Sequence, residues 1–152
     1  MISFIDHLTS NTMKKIFIVL VAAIITGSSA HSQIKVTDAA KKAFAAKFPN
    51  ATNVKWGKEN ANEYEAEFKL NGQPVSANFK LDGSWVETES SIAVTDLPSA
   101  ITNAIKAKYP GTVLNKAEKV EMSGGKIVYE TVVKVNGKKK EIEINPDGTF
   151  AK

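Results

Sequence analysis

Cysteine and arginine are both absent from the 152 residues of this chain, and its two histidines, His7 and His31, sit near the start. Each absence removes a class of chemistry. Without cysteine there is no disulfide, no thiol nucleophile and no site for lipidation. Without arginine the planar fork that grips phosphate and carboxylate is missing, and all basic residues are lysine. A mild lysine surplus of this kind argues against nucleic-acid binding and reads as a solubility device. Long apolar runs are scarce as well. The one clear run, Ile16 to Ile25, is ten residues, half of the roughly 20 that a bilayer span takes.

That run has the setting of an export signal. Met13-Lys14-Lys15 is a charged leader, and small residues follow from Thr26 to Ser32. Cleavage fits after Ala30, with Ser28 at minus three, or after Ser32, with Ala30 at minus three. The second is preferred and leaves Gln33 first. Residues 1–12 add nothing such a signal needs, so Met13 is itself a candidate start. The alternative is an uncleaved anchor. Cleavage would deliver a periplasmic or secreted product, residues 33–152, without a stable membrane anchor. Its formal charge is near +3, because Lys14, Lys15 and Asp6 leave from totals of 20 basic and 16 acidic residues. That length suits one domain.

Within it, one phrase occurs twice. Tyr64-Glu65-Ala66-Glu67-Phe68-Lys69-Leu70-Asn71-Gly72 returns 65 residues later as Tyr129-Glu130-Thr131-Val132-Val133-Lys134-Val135-Asn136-Gly137. Asp82-Gly83 with Trp85, and Asp147-Gly148 with Phe150, keep the same offset. The repeats run over about 36–91 and 94–152.

Each repeat opens on a helix signal. Thr37-Asp38 supplies a cap, and Ala40, Phe44 and Phe48 recur every four residues, predicting a helix over Asp38 to Lys47 that Pro49 stops. In the second repeat Leu97, Ile101, Ile105 and Tyr109 form the stripe. Pro98 falls in the first turn, and the helix should be three residues longer. The period then changes to two. Val54 and Trp56 mark a first strand. Tyr64, Ala66, Phe68 and Leu70 alternate with charged residues, and Asn71-Gly72 forms a two-residue turn. That turn pairs Phe68 with Val75, Ala66 with Ala77 and Tyr64 with Phe79. The second repeat should run from a long polar strand, about Thr112 to Met122, through hairpins at Gly124-Gly125 and Asn136-Gly137 to a last short strand. There Val128 and Val132 are apolar on the face opposite Tyr129, so that face is covered or carries a patch. The expectation is an α+β fold of two tandem repeats, each one helix followed by a four-stranded antiparallel meander, with the helices on one face of the sheet.

The pattern Phe48-Pro49-Asn50-Ala51, Val54-Lys55-Trp56, Tyr64-Glu65-Ala66, Asn71-Gly72, Asp82-Gly83-Ser84-Trp85, Glu87-Thr88-Glu89 and Leu97-Pro98 resembles the exported PepSY-like proteins, described as β-lactamase-inhibitor-like. The resemblance covers essentially all of residues 33–152. It implies a helix-plus-sheet protein with an open sheet face, periplasmic in bacteria of the Bacteroides type. It does not by itself carry an inhibitory target.

Catalysis has little to work with. Loss of His7 and His31 would leave neither histidine nor cysteine, which removes histidine triads and the usual zinc sites. Ser76, Ser84, Ser90, Ser91, Ser99 and Ser123 lack a glycine-rich elbow. No catalytic residue, cofactor or bound metal is expected. Glu63, Glu65 and Glu67 share one strand face with Glu87 and Glu89 nearby, a set able to offer oxygen ligands to calcium. The plainer reading is a solvated face with Glu63 opposite Lys80. Trp85 has two placements. A two-residue Asp82-Gly83 turn puts it on the open face with Glu87 and Glu89, whereas a one-residue bulge puts it in the core with Phe79. Trp56 reads as core. Lys138-Lys139-Lys140 beside Lys134 guards a sheet edge or docks an acidic partner. The functional expectation is a non-catalytic module that engages or inhibits a protein or peptide through Trp85, Glu87, Glu89, Glu65 and Glu67. A small-ligand or calcium-binding protein is the alternative.

Overall fold

In the computed structural model, α1 covers Asp38–Lys47, the range its spacing predicts. The structure describes residues 34–151; the export signal and both cleavage sites lie outside the described residues. Thr37 Oγ1 accepts the Ala40 N–H at 3.3 Å, and its hydroxyl donates to the Leu81 carbonyl at 2.8 Å. One side chain therefore caps the helix, a contact typically worth about 1 kcal/mol, and ties it to a sheet turn.

The helix of the second half, α2, covers Ser99–Lys108 and has ten residues like α1, not three more. Leu97 stays extended because a residue before proline is pushed out of the helical region. Pro98 is extended too and stands just outside the first turn, its carbonyl taking the Ile101 N–H at 3.0 Å. The upstream Val94–Asp96 closes a separate 3-10 turn.

Seven strands form one antiparallel sheet in chain order: β1 Thr52–Lys58, β2 Glu63–Leu70, β3 Gln73–Lys80, β4 Trp85–Ile92, β5 Ala117–Met122, β6 Ile127–Val135 and β7 Lys138–Ile144. The β2–β3 register is the one the Asn-Gly turn implies, with Phe68, Ala66 and Tyr64 opposite Val75, Ala77 and Phe79. Asn71 and Gly72 both take positive φ, as that turn requires. Two expectations fail. The polar strand β5 starts at Ala117 rather than near Thr112, because the Thr112 N–H is still bonded to the Tyr109 carbonyl in the turn after α2. The expected eighth strand is a single bridge, Ile144 to Phe150, with the Asn145 N–H bonded to the Thr149 carbonyl and the Ala151 N–H to the Glu143 carbonyl on either side of it.

Both helices bury the same face of the sheet. Under α1 lie Phe44, Phe48, Tyr64, Ala66, Phe68, Ala77 and Phe79, with Trp56 packed against them. Phe44 meets Phe68 edge-on at 5.0 Å and Trp56 at 5.4 Å, the T-shaped contact aromatic quadrupoles favour. Under α2 the core is aliphatic: Leu97, Ile101, Ile105, Val133, Ile142 and Ile144. Each helix is clamped to its sheet by an Asp-Gly turn. A Cβ on Gly83 would stand 2.7 Å from the Ala39 carbonyl oxygen, and one on Gly148 2.7 Å from that of Ala100. Both glycines also have positive φ, so only glycine meets both demands.

Candidate functional site

The sheet face away from the helices carries the chain's unusual chemistry. Strand alternation places Glu65 and Glu67 of β2 there, with Ser76 and Asn78 of β3 and Glu87 and Glu89 of β4. The second half adds Glu118 and Val120 of β5, Val128 and Glu130 of β6, and Glu141 and Glu143 of β7. Pairing lines these residues into rows across the sheet. One row is Glu65, Asn78, Glu87 and Met122; another is Ser91, Glu118, Glu130 and Glu143. The second row sets three glutamates directly opposite one another, an arrangement that destabilises a sheet unless something offsets the charge.

Several of these groups are buried. Asn78, Glu87, Glu130, Val120 and Val128 are each at most 5% exposed. Asn78 Nδ2 donates to Glu87 Oε1 at 3.0 Å, but Asn78 Oδ1 and Glu130 Oε2 are buried without a hydrogen-bond partner. Carboxylate oxygens of Glu89, Glu118 and Glu130 lie within 4.8 Å of one another. Lys116 Nζ pairs with Glu118 Oε2 at 2.9 Å. Burial, then the neighbouring charges of Glu130, Glu87, Glu118 and Glu65, pushes the Glu89 carboxyl up to about 8. Burial, then Glu141, Glu143, Glu118 and Glu87, pushes Glu130 up to about 8 as well. Burial raises Glu65 and Glu141 too, with Ser76 and Lys116 respectively working against the rise.

Of the five residues singled out from sequence, four share this face: Glu65, Glu67, Glu87 and Glu89. Trp85 does not. A bulge at Val86 lets Phe79 pair with Trp85 while Asn78 pairs with Glu87, so Trp85 turns toward α1. Its ring packs against the aromatic core, Lys47 Nζ stands 3.5 Å from the ring centroid, and its Nε1 donates to Thr88 Oγ1 at 3.0 Å. Glu63 does face Lys80 across the ladder. Lys138, Lys139 and Lys140 are exposed on β7 at the sheet edge. Sequence reasoning missed Glu118, Glu130 and Glu143. The available signal was phase, because Glu130 falls between Val128 and Val132 on a face already marked as oddly apolar.

Among the described residues there is neither histidine nor cysteine, and no helix is long and apolar enough to cross a membrane. No curated protein matches the chain. Three solved structures share the fold at low sequence identity. A DUF2874 family protein from Bacteroides uniformis superposes with TM-score 0.69 at 21% identity, over 78% of this chain and 88% of that one. A BLIP-like protein from Bacteroides fragilis gives 0.66 at 22% identity, over 80% and 86%. A structure from Bacteroides eggerthii, described as among "putative periplasmic proteins", gives 0.69 at 21%, over 78% and 88%. The family model described as "Putative beta-lactamase-inhibitor-like, PepSY-like" matches residues 62–152. With that match over more than half its length, the chain belongs to the PepSY-like, beta-lactamase-inhibitor-like family.

Proposed function

We propose that this chain is a non-catalytic periplasmic binding module that engages a protein or peptide through the sheet face away from its helices. One observation carries the reading: both helices bury one face, while the other gathers glutamates from five strands around Asn78, Val120 and Val128. The exposed and half-buried glutamates of that face, Glu65, Glu67 and Glu89 among them, suit a partner that presents lysine or arginine. Glu65, Glu67 and Glu89 are its proposed contacts from the first half; Glu87 is left out because it is buried and accepts from Asn78, and Trp85 because its ring lies beneath Lys47. Membership of a beta-lactamase-inhibitor-like family supports partner binding in general, without naming the partner.

Export rests on the leader at Met13-Lys14-Lys15, with cleavage after Ala30 or Ser32. Amino-terminal sequencing of the protein from a periplasmic fraction tests it; a chain that keeps Ile16–Ile25 would show the uncleaved form. The binding face is tested with a photocrosslinker placed at Glu67, on the far face, or at Lys106 on α2, both exposed. Adducts with a discrete partner are expected from Glu67 and not from Lys106. The reverse pattern would place binding on the helix side and end this reading.

A second reading is favoured by a specific observation. The buried, unpartnered Glu130 oxygen beside two further carboxylates suits a protein that binds a cation, calcium being the hard-ligand candidate.

A further inference from the structure

We infer that Glu89 of β4, Glu118 of β5 and Glu130 of β6 form one calcium site on the sheet face away from the helices. The assignment deepens the cation-binding reading and does not depend on a protein partner. Its geometry comes from three adjacent strands, each supplying one carboxylate oxygen, all within 4.8 Å of one another. Calcium binds oxygen at about 2.3–2.6 Å, so ligands on opposite sides of one ion stand about 5 Å apart. Magnesium holds its ligands closer and demands a near-ideal octahedron, which three side chains on a stiff sheet are poorly placed to build. The donors are all carboxylate oxygens, the hard ligands of calcium rather than of zinc or copper.

Acidic clusters are common, and this one alone would mean little. The independent observation is Glu130. Its residue is 5% exposed, and Oε2 is buried with no hydrogen-bond partner. A buried carboxylate oxygen left unpaired is expensive, and the carboxyl group that carries it brings an oxygen within 4.8 Å of one from Glu89 and one from Glu118. Pairing compounds the cost, since Glu118 and Glu143 flank Glu130 on both neighbouring strands. Lys116 offers one positive charge, to Glu118 Oε2. Among the described residues no lysine forms an ion pair with Glu89 or Glu130. A divalent ion coordinated by all three would give the under-bonded Glu130 carboxylate a partner and offset the row of like charges together.

The rival occupant is the proton, and the two differ in what they leave behind. The full-length product, purified from exporting cells and stripped with chelator, is titrated with Ca²⁺ alone and with Mg²⁺ alone. Calorimetry and thermal unfolding are followed near neutral pH. One Ca²⁺ per chain is expected, with a rise in Tm, and Mg²⁺ at least about tenfold weaker. Glu130→Gln and Glu89→Gln should each weaken Ca²⁺ about tenfold or more while leaving the stripped protein folded. Glu118→Gln, at a less buried position, covers the case in which a buried variant does not fold. If Ca²⁺ binds with unchanged affinity in folded variants, this site is wrong though cation binding stands. If neither ion gives heat or a Tm shift up to about 10 mM, above the weakest extracellular calcium modules, both the site and the cation reading fall. Equal or tighter Mg²⁺ binding would overturn the preference for calcium.

Discussion

Glu65 and Glu130 occupy the same place in the two halves, 65 residues apart in the doubled phrase, yet they meet different neighbours. Glu65 pairs with Gly57 on one side and Asn78 on the other. Glu130 pairs with Glu118 and Glu143. One scaffold position is therefore a tolerated carboxylate in the first half and the centre of a charge cluster in the second. The cores differ in the opposite sense. The first packs phenylalanines and Trp56 under α1, whereas the second packs isoleucines, Leu97 and Val133 under α2. Hairpin length differs too: β5 and β6 pair on through Val120–Val128 and Glu121–Ile127, where the first half loops from Lys58 to Glu63. That extension brings the buried valine pair onto the far face. The shared parts hold the helices, and the differences collect on the face that lacks them.

The largest effects should come from matched core truncations. Phe44→Ala removes a ring that touches Phe48, Trp56, Phe68 and Phe79, and about 3–5 kcal/mol of stability should go with it. Ile105→Ala, its counterpart under α2, should cost about 2–5 kcal/mol. Denaturant unfolding compares them; if Ile105→Ala is silent, the second core does not hold the fold.

The two turn glycines come next. Gly83→Ala and Gly148→Ala both force positive φ on alanine and press Cβ against a helix carbonyl, for about 1–3 kcal/mol each. Equal losses in Tm would show that the halves share this clamp, and a loss at one alone would break the equivalence.

A pH profile separates the two glutamates. Burial and like charge raise Glu130 and Glu89 from an ordinary 4.5 to about 8, so the folded chain keeps protons that the unfolded chain releases. Their contribution is full below 4.5 and is lost as pH rises through about 8. The facing groups are Glu65, Glu87, Glu118, Glu141 and Glu143, with Lys116 the opposing charge. In chelator, Tm should therefore fall between pH about 5 and 9, and Glu130→Gln should flatten the fall more than Glu65→Gln. An equal effect of both variants would dissolve the contrast.

The smallest effects concern the lysines over the outer rings. Lys47 Nζ lies 3.5 Å from the Trp85 centroid and Lys108 Nζ 3.8 Å from Phe150. Lys47→Ala should cost about 0.5–1 kcal/mol and Lys108→Ala no more, because tryptophan is the stronger partner. The reverse order would show that Trp85 is not seated beneath Lys47.

Much of this fold was legible in the residues themselves. Local chemistry places α1, the Asn-Gly hairpins and the β2–β3 register, because caps, prolines and positive-φ turns act over a few residues. Periodicity also marks Val128 and Val132 as standing on an unexpected face. Trp85 was not legible, since a single bulged residue reverses the phase of everything before it and costs too little to leave a mark in sequence. Nor was the length of the second half's meander, where a last strand reduces to one bridge.

The residues alone determined two helices, each leading into antiparallel strands, and a chemistry poor in nucleophiles and rich in carboxylates. Tertiary structure decided which carboxylates meet. Glu89, Glu118 and Glu130 are scattered over 42 positions, and only the pairing of β4, β5 and β6 brings their oxygens within 4.8 Å. Strand register is a long-range property, so a charge that looks solvated along its own strand becomes costly beside its neighbours'.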